Sequence, residues 1–226
     1  MKRFCIIIFG VMASIQLFSQ EVKVVNDIGF WGGLNIEKEI VKDFKINIEQ
    51  QIRLYTNITE FDDYLIDFGG LYRVNKNFKL GGNIRYTYNA KRWKENEHHF
   101  RYNLDLKYRG RLSYRWRVLY RLRYQYEYAG LLVDDVSLKV HYSNIRNKLL
   151  FEYDLNKNND VYLSGELFRL SLSYKDPFFN KIRFYLGDKF QTRIGKINIA
   201  LGYEQELNNS YPLSFFFLKT VYTIRL

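Results

Sequence analysis

Residues 112–128 read Leu112-Ser-Tyr-Arg-Trp-Arg-Val-Leu-Tyr-Arg-Leu-Arg-Tyr-Gln-Tyr-Glu-Tyr128, and their alternation decides the fold. Tyr114, Trp116, Val118, Tyr120, Leu122, Tyr124, Tyr126 and Tyr128 share one parity. Arg115, Arg117, Arg121, Arg123, Gln125 and Glu127 share the other, broken by Leu119. An extended strand sends alternate side chains to opposite faces. One face is therefore apolar and aromatic, and the other carries charge. Aromatics crowd both ends of the apolar face, with Val118 and Leu122 nearer its middle. A strand crossing a bilayer beside a wet lumen has this pattern.

The alternation recurs. Phe44, Ile46, Ile48, Ile52 and Leu54 oppose Lys45, Asn47, Glu49, Gln51 and Arg53, with Gln50 the misfit on the apolar side. Leu80, Ile84, Tyr86 and Tyr88 oppose Lys79, Asn83, Arg85 and Thr87. Phe100, Tyr102, Leu104 and Leu106 oppose Arg101, Asn103, Asp105 and Lys107. Phe216, Leu218, Tyr222 and Ile224 oppose Phe217, Lys219, Thr223 and Arg225. Alternation over such lengths favours strand over helix.

Short polar turns are expected near Val41–Asp43, Asn75–Asn77, Arg109–Arg111, Asn156–Asp160 and Gly195–Lys196. Longer loops are expected near Asn57–Asp62, Asn89–Glu97, Ala129–Val136, Ser171–Asn180 and Leu207–Leu213, and Pro177 and Pro212 fall in these. Short turns on one side and long loops on the other match periplasmic and extracellular connections. About eleven strands are clear, whereas single-chain bacterial barrels use even numbers. An ascending strand over Glu21–Val25 would complete a closed antiparallel up-and-down transmembrane β-barrel of about twelve strands, with ten as the alternative. Closure is required because an unpaired backbone group in lipid costs several kcal/mol. A secreted lipocalin-like barrel is the soluble alternative.

Lys2 and Arg3 followed by the apolar run Phe4–Phe18 and the small Ser19 read as a secretory signal peptide, residues 1–19. Residues 20–226 then form one barrel domain. Cleavage removes the single Cys and both Met, so no thiolate site or disulfide remains. It also removes Lys2 and Arg3 and no acid, taking the formal charge from +11 to +9. Basic and aromatic-rich composition superficially suits nucleic acid, but the leader and the alternation exclude it. The chain has no phosphate-binding glycine loop, zinc motif or nucleophile elbow, so neither a cofactor nor a metal is expected.

Arg53, Arg85, Arg101, Asp105, Arg115, Arg117, Arg121, Arg123 and Glu127 are expected to face the lumen, since Arg against lipid at mid-depth costs roughly 2–4 kcal/mol. They either line an anion path or interlock as a plug, and a barrel near twelve strands is below open-porin size. Tyr114, Trp116, Tyr124, Tyr126 and Tyr128 are expected to face the membrane. His98 and His99 in the charged loop 90–99 point to opposite faces and make a poor metal pair. Asp188 sits where an apolar residue is expected, on the parity of Ile182, Phe184 and Leu186.

His141-Tyr-Ser143-Asn144 is the sharpest catalytic candidate, with His141 as base and Ser143 as nucleophile. It resembles a His-x-Ser-Asn run in outer-membrane lipid A deacylases and phospholipases. Ile145 departs from their pattern, and Glu152 is an ill-matched third member. Leu138, Val140 and Tyr142 share one parity and Ile145, Leu149 and Phe151 the other, so a bulge near Ser143 is expected.

Trp31, Gln51-Ile-Arg53, Gly81-Gly-Asn-Ile-Arg-Tyr86, Arg121-Leu-Arg-Tyr-Gln-Tyr126, Arg146-Asn-Lys-Leu149, Glu166-Leu-Phe168, Arg183 with Gly187, and Tyr222-Thr-Ile-Arg-Leu226 carry a wider likeness. By these the chain resembles an uncharacterised outer-membrane barrel family of Bacteroidota, domain of unknown function 2490, from about Asp27 to Leu226. The resemblance implies a barrel in the outer membrane with no assigned activity; the charged, Arg-rich interior is read as structural or transport-type rather than catalytic, in a Gram-negative cell. Its expected partners are outer-membrane lipid and lipopolysaccharide, and the barrel assembly machinery during biogenesis. The alternatives are the lipid hydrolase above and a surface binding protein working through extracellular loops.

Overall fold

The computed structural model describes residues 25–90, 96–129, 141–172 and 174–226. Among these, eleven strands form one closed barrel: β1 Val25–Val41, β2 Phe44–Tyr55, β3 Glu60–Arg73, β4 Phe78–Asn89, β5 Glu97–Arg111 and β6 Trp116–Ala129. Then follow β7 His141–Asn156, β8 Asn159–Leu172, β9 Lys175–Gln191, β10 Gly195–Glu206 and β11 Leu213–Arg225. Each pairs antiparallel with its sequence neighbour. The proposed leader lies outside the described residues.

The expected count of twelve, all antiparallel, is corrected at the closure. β1 pairs β2 on one edge and β11 on the other, leaving no ladder for a further strand between them. The β1–β11 ladder is parallel, from Val25↔Leu213 to Glu37↔Arg225. An odd count forces this, because the first and last strands then run the same way. Of the expected Glu21–Val25 strand, only Val25 is described, and it opens β1.

Local chemistry sets the turns. Asn75 Oδ1 accepts from the N–H groups of Asn77 and Phe78, and Asn156 Oδ1 from those of Asn158 and Asn159. Such Asn caps replace the ladder bonds lost at a reversal. The β5–β6 turn falls at 112–115, not at Arg109–Arg111, because the Leu112 and Ser113 N–H groups bond back to Trp116 O. The expected loop Ser171–Asn180 is mostly strand: β8 runs to Leu172 and β9 starts at Lys175. Pro177 therefore lies inside β9. It causes no loss there, because β10 begins pairing with β9 only at Lys181 and the β8 ladder shifts register nearby.

At the loop rim, Thr56, Asn57 and Ile58 take φ of 51°, 56° and 68°. This tight turn points successive N–H groups toward one site that can hold an anion. Asp27 fills it, accepting from Thr56 N at 3.1 Å and Asn57 N at 3.0 Å. This fixes the start of β1 to the β2–β3 loop.

Candidate functional site: the lumen

Strand parity divides the side chains into two sets. Outward, apolar residues meet in rows across the ladders. Ile36, Ile48, Phe68 and Ile84 are successive cross-strand partners, as are Leu163, Leu186, Leu201 and Leu218. All eight are exposed, Leu201 by 64%. Inward, two unlike sectors share the lumen.

The first is aromatic and lies against the parallel seam. Trp31 of β1 stacks on Phe217 of β11 with centroids 3.8 Å apart, and Phe215 stacks on Tyr55 at 4.4 Å. Tyr185 meets Phe217 edge-on at 5.6 Å. Trp31, Phe215, Phe217 and Tyr185 are buried together with Tyr162, Ala200 and Leu150, and half-buried Tyr55 packs against them. Gly202 makes the packing possible, because a Cβ there would fall inside the Phe217 ring. Parallel pairing is slightly weaker per residue than antiparallel, and here ring packing braces the parallel β1–β11 ladder.

The second sector is a lattice of ion pairs on β2–β10. Arg53 reaches Asp63 at 3.4 Å and Arg85 reaches Asp67 at 2.5 Å. Arg101 donates to Glu127 at 2.5 Å, and His99 meets the same carboxylate at 3.1 Å. Arg123 grips Asp105 with two bonds of 2.6 and 2.8 Å. Arg121 and Arg146 share Glu166 at 2.6 and 3.0 Å. Toward the turn end, Arg117 bonds Glu152 at 2.7 Å and Asp160 at 2.5 Å, and Lys189 also meets Glu152. Lys181 and Arg183 hold Glu204. Several of these pairs skip a strand, as Arg121 on β6 to Glu166 on β8 does, so side chains reach across the curvature of the wall. The two sectors join where the guanidiniums of Arg53 and Arg183 lie 4.3 and 5.0 Å from the Trp31 ring centroid.

Between the sectors lies a chamber of about 690 Å³, lined by Arg53, Arg85, Arg101, Asp105, Arg121, Arg123 and Glu127 among others. Arg117 lies nearer the turn end, in the Glu152 cluster. Arg115 departs from its expected place: it sits in the 112–115 turn, exposed, with its guanidinium on the Tyr114 and Tyr153 hydroxyls. Tyr114 is in the same turn, 79% exposed. Leu112 and Tyr114 keep the alternating pattern through the reversal, which is why the sequence reads as one strand. Trp116, Tyr124 and Tyr126 are exposed on the outer wall, and Tyr128 packs against His141. The sequence reading did not assign Glu152, Glu166, Glu204, Lys148 or the rings of Tyr185 and Phe215 to the lumen. Their parity is the signal that places them.

His141 and Ser143 both occupy outward positions on β7, since their ladder partners are Tyr128 and Tyr126. The expected bulge near Ser143 is absent: the β6–β7 register runs unbroken from Trp116↔Tyr153 to Tyr128↔His141. Tyr142 simply points inward, and residues 138–140 lie outside the described residues. His141 Nδ1 is engaged by the Tyr126 hydroxyl at 3.1 Å. Glu152 is inward and toward the opposite rim, so it does not orient His141. His98 faces out on the Tyr86 hydroxyl while His99 faces in. Asp188 points outward between Val161 and Ile199, with Oδ1 buried and without a hydrogen-bond partner among the described residues.

A family model described as protein of unknown function, DUF2490, matches residues 28–212. No curated protein matches the chain. Among solved structures, the beta domain of the Bordetella autotransporter Brka is similar at 12% identity, over 79% of this chain and 82% of that one, with a TM-score of 0.43.

Proposed function

The chain belongs to the DUF2490 family, whose description assigns no activity, and on that premise we propose that it is an outer-membrane barrel with an occluded, ion-paired lumen. The inversion of polarity carries the reading: apolar rows outside, charges inside. A water-soluble barrel buries its apolar face, whereas here Leu104, Leu163 and Leu201 stand 56–66% exposed. Strands of 12–17 residues exceed the roughly 9–11 that cross a bilayer. The long loops then face the exterior of a Gram-negative, Bacteroidota-type cell and meet lipopolysaccharide. The short turns face the periplasm, a cleaved leader directs export, and the barrel assembly machinery inserts the protein.

Occlusion rests on reach and size. Eight strands give a lumen that side chains fill, and sixteen or more leave a channel. Eleven strands with long Arg, Glu and aromatic side chains on the inner wall stay on the filled side. The expected result in planar bilayers is no stepwise conductance from folded protein. Stable anion-selective steps would overturn the occluded reading. The membrane reading predicts heat-modifiable migration in detergent, and quantitative recovery from the soluble periplasmic fraction would sink it.

A further inference from the structure

The lumen is not one space. A second chamber of about 370 Å³ lies toward the turn end. Leu71, Lys107, Arg121 and Lys148 line both chambers, so they form the partition between them. Its charges do not balance. Asp105 is shared by Arg123 and Lys107, and Glu166 by Arg121 and Arg146. Lys148 has no carboxylate within ion-pair distance among the described residues; its Nζ rests 4.6 Å from the Tyr185 ring centroid. Five cations thus face two carboxylates. Over the whole larger chamber, eleven Lys and Arg face eight Asp and Glu once Asp63 and Glu204, which pair with its lining cations, are included. Arg121 also keeps a buried Nε–H with no acceptor.

Uncompensated charge in a low-dielectric interior is costly, and an anion seated beside these donors offsets that cost. We propose that the partition is a binding site for a compact oxyanion bearing two or more negative charges, of which phosphate is the smallest example. Lys148 and the free Arg121 Nε–H supply the donors, with Lys107 beside them. The larger chamber, at about 690 Å³, is within the range of small-molecule sites. This rests on the occluded-barrel reading, since an open aqueous pore would screen the same charges.

The test is isothermal titration of the full chain, folded in detergent, with inorganic phosphate at low ionic strength. Saturable binding of one phosphate per barrel is expected, weakening as salt rises. Lys148→Met is expected to weaken it by about tenfold or more, and Lys148→Arg to retain it. Lys45→Met, at the turn rim, is expected to leave it unchanged. Lys107→Met is the second variant should Lys148→Met fail to fold, because Asp105 keeps Arg123. A heat-modifiable barrel that takes up no phosphate at millimolar concentration overturns the site, as does a folded Lys148→Met with native affinity. Protein that never shows the heat-dependent mobility shift counts instead against the membrane-barrel reading.

Discussion

The aromatic sector at the seam and the ion-paired sector facing it hold the same barrel by opposite means. Trp31, Phe215 and Phe217 are stabilising in any ionic condition, because packing and area removed from water carry them. Glu166 with Arg121 and Arg146 is conditional: each charge loses hydration on entering the lumen, and the geometry of its partners must offset that loss. The seam therefore supplies strength where the ladder is parallel, and the lattice supplies register, since each Arg has a carboxylate at a fixed height on a nearby strand. Shared acids are the cost of the second arrangement, and they leave a positive remainder at Lys148.

The largest loss is expected at the seam. Phe217→Ala opens a void beside Trp31 and should cost about 3–5 kcal/mol, read as a lower urea midpoint by Trp fluorescence in detergent or vesicles. A loss no larger than that of an exposed substitution would mean the seam is not braced by its rings. Next is Glu166→Gln, which leaves Arg121 and Arg146 sharing one neutral amide. The expected loss is about 3 kcal/mol, and unlike the Phe217 loss it should shrink as salt or phosphate is added. Equal salt response in both variants would erase the distinction between the sectors.

Asp27→Ala probes the rim. Without the carboxylate the left-handed run Thr56–Ile58 loses its acceptor, and the expected loss is about 1 kcal/mol. Faster proteolysis within 56–59, with the barrel otherwise intact, is the corresponding readout. Smallest is Lys45→Gln, which removes a rim pair with Glu39 whose side chains are 37% and 44% exposed. Less than about 0.5 kcal/mol is expected, and a larger effect would show that rim charges belong with the inner lattice.

Much of this was legible in the sequence because period two is a strong signal. Alternation assigned Arg101, Arg123 and Glu127 to one face and Leu104, Leu122 and Tyr124 to the other, and the ladders put them there. What failed were features without a local signature. Leu112 and Tyr114 continue the alternation through a turn defined by hydrogen bonds to Trp116 O. Pairing of Val25 with Leu213 joins opposite ends of the chain and leaves no trace near either residue. The inward packing of Trp31 and Phe215 also lacks a local signature, because it depends on how a lumen of this width is filled. The partition at Lys148 was beyond reach for a related reason: its imbalance is a property of five side chains from β5, β6 and β7 seen together.

β1 and β11 both start at the loop rim and finish at the turn rim, so the described chain begins beside Pro212 and ends beside the β9–β10 turn. Inserted in a bilayer, Val25 and Leu226 address different compartments. Single cysteines at these two positions should react oppositely with a membrane-impermeant maleimide on intact cells. A barrel with an even number of staves would place its first and last strands' outer ends at one rim, whereas this one sets Val25 and Leu226 at opposite rims.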